Sequence, residues 1–254
     1  MQFRPTSLGL FLLLLIWSAA VELFAPPRYL LPSPLAVVHA LVRQSAFLTH
    51  HTLITLGEIL AGLFFGSVFG AAVAFLSVAL PRTGRLLWPM ILVLQTFPVF
   101  VLAPLLVLWL GFGVASKVAM TTVVIFFPVA SAFADGLRRT EPVLLEAAAL
   151  TAATPWQVLV RLRVPLALPA LVSGLRVAVP LAPLGAIIGE WVGASAGLGF
   201  VMVQANARMQ TDTVFAAMAI LAVTSIGLRL AFDRLTLGHP HWAREDEQKT
   251  PFSS

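Results

Sequence analysis

Long apolar runs alternate with short polar breaks along most of the chain. The first run extends from Leu8 to Phe24, and the proline-rich stretch "APPRYLLPSP" follows it. Prolines fix φ and lack a backbone donor, so this stretch predicts an extended connector. In "LAVVHALVRQ", His39 and Arg43 stand apart from apolar residues at helical spacing. That pattern predicts a short helix lying at a membrane interface.

The first run is compatible with either a signal peptide or a membrane span. Arg4 is the one basic residue before it, and no small-x-small cleavage site follows. A secretory signal would carry a basic start and such a site. We therefore interpret the first run as an uncleaved span.

The second run, from Leu53 to Leu80, is rich in small residues. Its glycines recur every four or five positions, at Gly57, Gly62, Gly66 and Gly70. Small residues let helix backbones approach closely in lipid. This run is therefore predicted to pack inside a helix bundle rather than to face lipid all round.

Prolines interrupt the next two runs. The third, Leu86 to Leu110, contains Pro98 and Pro104, and each removes a backbone donor. We expect this helix to be kinked or broken at membrane depth. The fourth run, Lys117 to Ala134, contains Pro128.

Two more apolar runs follow, from Leu166 to Ile188 and from Val214 to Phe232. The glycine-rich stretch "GEWVGASAGLGFVMVQANARMQTD" is interpreted as a connector between them. The tail, 233–254, is polar and is predicted to be flexible. Since a span needs about 20 helical residues, the pattern indicates an all-α polytopic membrane protein with about six transmembrane helices.

Composition supports a membrane protein without a separate soluble domain. The chain is 59% hydrophobic and 11% charged, with a mean hydropathy of +0.95, whereas a soluble domain is about 25% charged. It has no cysteine, which excludes disulfides, thiol catalysis and cysteine-ligated metals.

The net charge of +5 is better explained by lipid than by nucleic acid, because basic residues collect in cytoplasmic loops beside anionic lipid. With both termini in the cytoplasm, ten basic residues face inward and four face outward. The outward four are Arg28, Arg43, Lys117 and Arg208. This orientation places the stretch from Asp135 to Val164 on the cytoplasmic side.

The semi-polar stretch "LLEAAALTAATPWQVLVRLRVPLALP" is long for a loop that only joins two spans. It predicts two short helices joined at Thr154 and Pro155, with Thr154 as the N-cap and Pro155 in the first position. The small-residue face of these helices suits docking into another protein. From the residues alone, docking and a simple interfacial hairpin remain equally open.

The same stretch resembles the EAA loop of ABC-importer permeases, here within 141–165. Glu146, Ala147 and Ala148 match the EAA triplet, and Pro165 takes the LP position. Ala152 stands where the pattern has glycine, and we expect alanine, being small and helix-compatible, to serve there. The resemblance implies that this loop is the coupling helix of a type I ABC importer permease fold, seated in a cleft of a cytoplasmic ATPase.

Other stretches resemble the nitrate/sulfonate/taurine branch of these permeases, among them "LPSPLAVVHAL", "LAPLLVLWLGFGVASKV" and "IFFP". Within it, "QTFPVFVLAPLLVLWLGFG" and "FADGLRRT" are most similar to permeases for the pyrimidine precursor of thiamine. The resemblance implies a bacterial inner-membrane importer with a periplasmic solute-binding protein and two permease copies, with a homodimer the simpler assembly. It also implies three parts: 1–52 with the first span, connector and interfacial helix; a permease core, 53–232; and the cytoplasmic tail.

This chain is not expected to be an enzyme. It lacks a G-x-x-x-x-G-K-[ST] motif, so ATP and Mg²⁺ would be bound by the partner ATPase and this chain would need no cofactor. Glu146 is predicted to orient the coupling helix. Arg161 and Arg163 are candidates for pairing with acidic residues of the ATPase, although anchoring at the cytoplasmic face is the favoured interpretation.

Polar residues at membrane depth are the candidates for the substrate path. With two neighbouring aromatic residues they form a set of six: Gln95, Phe97, Glu190, Trp191, Gln204 and Asn206. An aromatic pyrimidine would stack on Phe97 or Trp191 and bond to the amides. Roles at helix breaks or as interface anchors are the favoured alternatives, and Glu190 could instead serve docking of the binding protein.

No metal site is predicted, because the adjacent His50 and His51 point about 100° apart on a helix. The second functional hypothesis is a stand-alone secondary transporter. That class needs a carboxylate deep in a span, and Glu58 is the one modest candidate. An intramembrane enzyme would need clusters of His, Asp or Glu that the spans lack.

Overall fold

The computed structural model describes residues 4–236, which form helices joined by short turns and contain no β-strand. The helices are α1 (Arg4–Phe24), α2 (Pro34–Arg43), α3 (Ser45–Ala79), α4 (Pro81–Thr96), α5 (Val99–Leu110), α6 (Val114–Arg138), α7 (Pro142–Leu150), α8 (Pro155–Val158), α9 (Val164–Gly193), α10 (Leu198–Ala207) and α11 (Thr211–Thr236). A π-helical stretch, Leu159–Arg163, joins α8 to α9 without a break. The all-α fold predicted from the sequence is confirmed.

Four helical segments are long and apolar enough to cross a membrane: Ser45–Ala79, Val114–Arg138, Pro155–Gly193 and Thr211–Thr236. The two other predicted spans are also helical. The first corresponds to α1, and the third is divided between the shorter helices α4 and α5. All the predicted apolar runs are therefore helices, and four of them qualify as spans by length and composition alone.

The predicted break in the third run lies at Pro98. Helix α4 ends at Thr96 and α5 begins at Val99, because a proline disfavours helical backbone at the residue before it. Pro104 and Pro128 lie inside α5 and α6, which continue through them.

Helix α6 lies at the centre of the bundle, with α3 on one side and α9 on the other. Gly62, Gly66 and Gly70 of α3 press directly on α6, and a Cβ built on Gly62 would lie 2.3 Å from the Cβ of Thr121. On α9, Gly185 lies against the backbone of the same threonine. The predicted close packing is confirmed at these α3 glycines but is wrong for Gly57, which faces open space.

Three apolar clusters follow one another along the bundle. Leu48 of α3 belongs to the first, with residues of α2, α10 and α11, and Ile59 belongs to the middle cluster with α6 and α9. Ala74 belongs to the last, with Leu159 of the π-helical stretch. At 1.5 Å per residue, about 30 Å separates Thr55 from Phe75 along α3, which is the thickness of a hydrocarbon core. Helices α10 and α8 therefore lie at opposite ends of the bundle.

The predicted glycine-rich connector is largely helical, which corrects the sequence interpretation. Helix α9 continues to Gly193, and α10 occupies Leu198–Ala207. Leu198, Val201, Met202 and Ala205 form the buried face of α10. This helical spacing is masked in the sequence by the glycines around it.

At the C-terminal end, α11 extends through Thr236, so the first residues of the predicted tail are helical. Asp233 accepts hydrogen bonds from Arg176 at 3.1 Å and from Arg229 at 2.8 Å, which ties α11 to α9. Residues 237–254 of the predicted flexible tail lie outside the described part of the chain. The proposed division into three parts remains a prediction.

The glycine contacts generate a matched pair of variants. We expect Gly62→Ala to destabilise the protein by about 1–3 kcal/mol, because the added methyl group overlaps Thr121. Gly57→Ala should leave stability unchanged or raise it slightly, since glycine within a helix costs about 0.5–1 kcal/mol relative to alanine. Thermal unfolding of both variants in nanodiscs checks this. Equal loss in the two variants would contradict the packing described for α3 and α6.

Candidate functional site

The loop that resembles an EAA motif folds as α7, a turn, and α8. Thr154 caps α8 as predicted: its Oγ1 accepts from the Gln157 N–H at 3.2 Å, and the Gln157 side chain accepts from the Thr154 N–H at 2.9 Å. Pro155 occupies the first turn of α8, as predicted. The two predicted helices are therefore present, and the second continues into the spanning helix α9.

Ala152 lies in the turn and has a φ of +52°. This is the left-handed region, which costs an L-residue roughly 1–2 kcal/mol and which glycine enters freely. Ala152 therefore lies outside helical backbone, and the expectation that alanine serves at this position of the loop remains a prediction. Its position just after the C-cap of α7 calls for glycine on conformational grounds.

Helix α7 carries Glu146, Ala147 and Ala148 on the outside of the bundle. Glu146 and Ala147 are exposed, and Ala148 is half-buried. Apolar residues on the same helix are also uncovered, with Leu150 91% exposed and Val143 70% exposed. An apolar surface of this kind, beyond the end of the spans, is typical of a protein contact.

The segment that follows α7 is fixed to the bundle. The Trp156 ring packs edge-on against Phe75 of α3 at a centroid distance of 5.8 Å. Leu159 is buried in the cluster that contains Ala74 and Leu137. Since α8 continues through the π-helical stretch into α9, a displacement of α8 must displace the end of α9 as well.

Three further predicted coupling residues lie at this junction. Arg161 and Pro165 are exposed, and Arg163 is half-buried. Neither arginine forms an ion pair with another described residue. Their roles remain predictions.

Gln95 lines a large cavity between the helices, with a volume of about 1170 Å³. Helices α3, α4, α5, α6 and α9 surround it, and most of its lining is apolar, including Phe69, Trp109 and Phe126. Phe97 lies at the α4–α5 break, half exposed and outside this lining. Gln95 and Phe97 are thus close in the chain but do not share the cavity.

A second cavity, of about 440 Å³, lies between the α2–α3 junction and α10. Gln204 lines it together with Arg43 and Arg208, and Arg208 donates to Gln204 at 3.3 Å. Asn206 and Trp191 are exposed and lie outside its lining. The predicted substrate-path residues are therefore divided between separate places rather than gathered at one site.

Glu190 is buried, with 2% exposure, and anchors the start of α10. Its carboxylate accepts from the Thr55 hydroxyl at 2.6 Å and from the Gly199 N–H at 2.5 Å. The same threonine oxygen accepts from the Leu198 N–H at 2.8 Å, and His51 Nδ1 accepts from the Gly197 N–H at 2.9 Å. Side chains of α3 and α9 thus satisfy the backbone donors that open α10, which a helix leaves unpaired.

Lys117 and Glu58 complete this buried group, and both are 3% exposed. The Lys117 ammonium donates to the carbonyls of Gly113 and Gly193 at 2.9 Å and also to the carbonyl of Phe112. The Lys117 charge is therefore enclosed between α5, α6 and α9 at the α10 end of the bundle, and its assignment to the outward side of the membrane remains a prediction.

The sequence patterns did not predict that these residues lie together. The signal was present, since ionisable residues within apolar runs are costly and mark special sites. Glu58 and Lys117 stood in or beside such runs, and His51 stood just before one. Their proximity depends on helix packing, because His51 and Glu190 are far apart in the chain.

The fold, the exposed α7–α8 segment and the cavity between the spans are those expected of a multi-pass transport subunit. The family model for the binding-protein-dependent transport system inner membrane component matches residues 59–237. The chain belongs to that family of ABC transporter permeases.

Curated relatives agree with this family. A probable ABC transporter permease protein of Haemophilus influenzae is 46% identical, over 88% of this chain and 91% of its own length. The formylaminopyrimidine transport permease ThiX of Halalkalibacterium halodurans is 38% identical, over 89% and 90%. The taurine permease TauC of Escherichia coli is 31% identical, over 90% and 86%. The resemblance to the nitrate/sulfonate/taurine branch is thereby confirmed.

Solved structures share the fold. A chain of the MetNI methionine ABC transporter, solved in inward-facing conformations, aligns with a TM-score of 0.67 and 22% identity, covering 77% of this chain and 97% of that one. The predicted type I importer permease fold is confirmed. Family and fold together favour an importer subunit over a stand-alone secondary transporter.

The left-handed backbone of Ala152 predicts how substitutions there change the stability of α7. Ala152→Gly should relieve about 1–2 kcal/mol of backbone strain in the folded state. Glycine also raises the conformational entropy of the unfolded chain, which lowers the stability by roughly 0.4–1 kcal/mol. We expect hydrogen exchange of α7 to slow by roughly two- to fivefold. Ala153→Gly is the matched control and should accelerate exchange, because Ala153 has no positive φ to relieve. Faster exchange in both variants would contradict the strain at Ala152.

Proposed function

We propose that this permease imports a small heteroaromatic solute, the pyrimidine precursor of thiamine, delivered by a periplasmic binding protein. The 38% identity to a formylaminopyrimidine permease over most of both chains supports this substrate class. An aliphatic sulfonate or taurine is the second candidate, favoured by the 31% identity to the taurine permease. Transport proceeds by alternating access and is driven by a separate ATPase, which holds the ATP and Mg²⁺.

The exposed apolar surface of α7 carries the coupling proposal. Glu146, Leu150 and Trp156 are open on the outside of a segment whose far end is packed into the bundle. We assign this surface to a cleft of the cytoplasmic ATPase. The rigid connection through the π-helical stretch would pass ATPase closure to α9, and α9 lines the large cavity.

The coupling assignment also gives an orientation. If α7 and α8 lie in the cytoplasm, α10 and the smaller cavity face the periplasm at the other end of α3. Both termini are then cytoplasmic, and the chain is a multi-pass protein of a bacterial inner membrane. We propose a homodimer of permeases, since closed twofold assemblies are the simplest for a single sequence.

The large cavity is the proposed substrate path. Its volume of about 1170 Å³ exceeds that of most small-molecule pockets, and its aromatic walls suit stacking of a pyrimidine ring. The Gln95 amide can both donate to and accept from a heterocycle. Phe97, Trp191 and Asn206 remain candidates for other stages of the path, whereas Gln204 lines the smaller cavity and lies outside this path.

The coupling role generates one prediction. In liposomes with the cognate ATPase, Glu146→Ala should lose the stimulation of ATP hydrolysis by loaded binding protein, a coupling of about 1–3 kcal/mol. Glu141→Ala is the matched control, because Glu141 is exposed on the same segment and its side chain makes no cap hydrogen bond. Full stimulation in the Glu146 variant would contradict the assignment. Binding proteins loaded with the pyrimidine or with taurine distinguish the substrates.

The two cavities generate another prediction. Gln95→Leu should reduce uptake at least about tenfold, equivalent to about 1.4 kcal/mol of lost binding. Gln204→Leu should leave the apparent affinity for solute unchanged, because Gln204 lines the other cavity. Uptake of labelled solute into proteoliposomes at several concentrations measures both. The reverse pattern would place the path at the smaller cavity instead.

A further inference from the structure

A further cavity, separate from the two described above, lies between the end of α3, the start of α4 and the end of α6. Its volume is about 470 Å³. Arg85 and Arg138 line it, together with the Trp88 ring and small or apolar residues of α3 and α4. None of the described residues in this lining is acidic. Because arginine keeps its charge in proteins, this arginine cavity is positively charged.

Close contact between α3 and α4 fixes the shape of the arginine cavity. A Cβ built on Gly84 would collide with the carbonyl of Ser77, so glycine is needed where the two helices meet. On α6, the Arg138 guanidinium lies over the Trp88 ring, 4.7 Å from its centroid. A cation–π contact restrains a guanidinium without a carboxylate partner, so its charge remains available to an anion.

The two arginines of the cavity form no ion pair with another described residue. Both ion pairs found among those residues involve Asp233 of α11. A guanidinium group suits phosphate, because its fork of N–H donors matches two oxygens of one phosphate. A phosphate group with a net negative charge is therefore the ligand chemistry that the arginine cavity fits.

The position of the cavity along α3 places it at the level of lipid headgroups. About 30 Å of helix separates Thr55 from Phe75, which is the thickness of a hydrocarbon core. Ser77, in the cavity lining, follows Phe75 by two residues and so lies just beyond one edge of that core. Trp88 suits the same level, because tryptophan rings collect at membrane interfaces.

An apolar stripe on α4 leads from this level toward the middle of the bundle. Leu86, Met90 and Val93 are 68%, 56% and 57% exposed, and their spacing places them on one face of the helix. Gln95, near the end of α4, lines the large cavity with Phe69 of α3, so α4 runs back along the bundle. A lipid chain covers such a stripe, whereas a soluble anion gains nothing from it.

We propose that the arginine cavity binds the phosphate headgroup of one anionic phospholipid, whose acyl chains lie along the apolar stripe of α4. Arg85 and Arg138 donate to the phosphate oxygens. Basic pockets between spans on the cytoplasmic side suit anionic headgroups. With the orientation proposed above, the lipid belongs to the inner leaflet, and only this choice of leaflet rests on the proposed function.

The bound lipid also stabilises the attachment of α8. Val78 and Trp88 line the cavity and pack against the apolar cluster that contains Leu137 and Leu159. Leu159 belongs to the π-helical stretch that follows α8. A ligand that binds only the ordered cavity stabilises these contacts by mass action. We therefore expect α8 to be held more firmly when an anionic lipid is bound.

Native mass spectrometry of the full chain in detergent tests the site, because it counts retained lipids without the surface potential of a bilayer. Phosphatidylglycerol is added to the wild type and to the cavity variants Arg85→Gln and Arg138→Gln. Arg82→Gln and Arg139→Gln are the matched controls, since they remove the same charge from exposed neighbours outside the lining. Phosphatidylcholine and inorganic phosphate are the comparison ligands.

We expect the wild type and both controls to retain one phosphatidylglycerol. Each cavity variant should bind it at least about tenfold more weakly, because a hydrogen bond to a charged group is lost. Phosphatidylcholine should bind more weakly than phosphatidylglycerol, and inorganic phosphate at equal concentration should not displace the lipid. Hydrogen exchange of α8 should slow when phosphatidylglycerol is added to the wild type, but not when it is added to Arg85→Gln.

The proposal is overturned if the controls lose as much binding as the cavity variants, or if phosphatidylcholine binds equally well. Displacement by inorganic phosphate would assign the cavity to a soluble anion instead. Cavity variants that keep the lipid but lose the ATPase would assign it to a contact with that partner. Arg85→Gln leaves the contact of Arg138 with Trp88 in place, so the result does not depend on tolerance of losing that contact. The lipid assay contains no ATPase, binding protein or solute, so its failure is distinct from failure of the proposed import function.

Discussion

The close approach of α3, α6 and α9 is the constraint on which the other features depend. Lipid provides no hydrophobic driving force between spans, so their association rests on van der Waals contact and hydrogen bonds. Contact at Gly62, Gly66 and Gly185 brings the backbones together over the middle of the bundle. With this central packing in place, polar groups from different helices can meet at one end, and the α7–α8 segment can be held firmly at the other.

The two ends of the bundle differ in what their side chains stabilise. At one end, Glu190, Thr55 and His51 satisfy the backbone donors of a short helix that would otherwise open in an apolar surrounding. At the other end, α8 is held by Trp156 and Leu159 while α7 projects outward. A rigid attachment beside an exposed apolar helix is the arrangement that a transmitted movement requires, because force must pass through a packed contact to reach the spans.

The large cavity and the buried cluster place polar chemistry in separate parts of the bundle. Gln95 contributes an amide to a mainly apolar chamber, whereas Glu58, Lys117 and Glu190 are enclosed among themselves. The enclosed charges give α10 a defined position, and the chamber leaves room for a solute. Both arise where α6 and α9 meet their neighbours, so the same packing forms the enclosed cluster and the open chamber.

The sequence by itself determined the membrane class, the helical runs, the break at Pro98 and the cap at Thr154, because hydropathy, proline geometry and capping act over a few residues. It also carried the family, through the EAA-like loop. Only the tertiary structure decided the conformation of Ala152, the burial of Lys117 and the grouping of Glu58 with Glu190. Those features depend on backbone dihedrals and on contacts between helices distant in the chain, and no local pattern records which faces will meet.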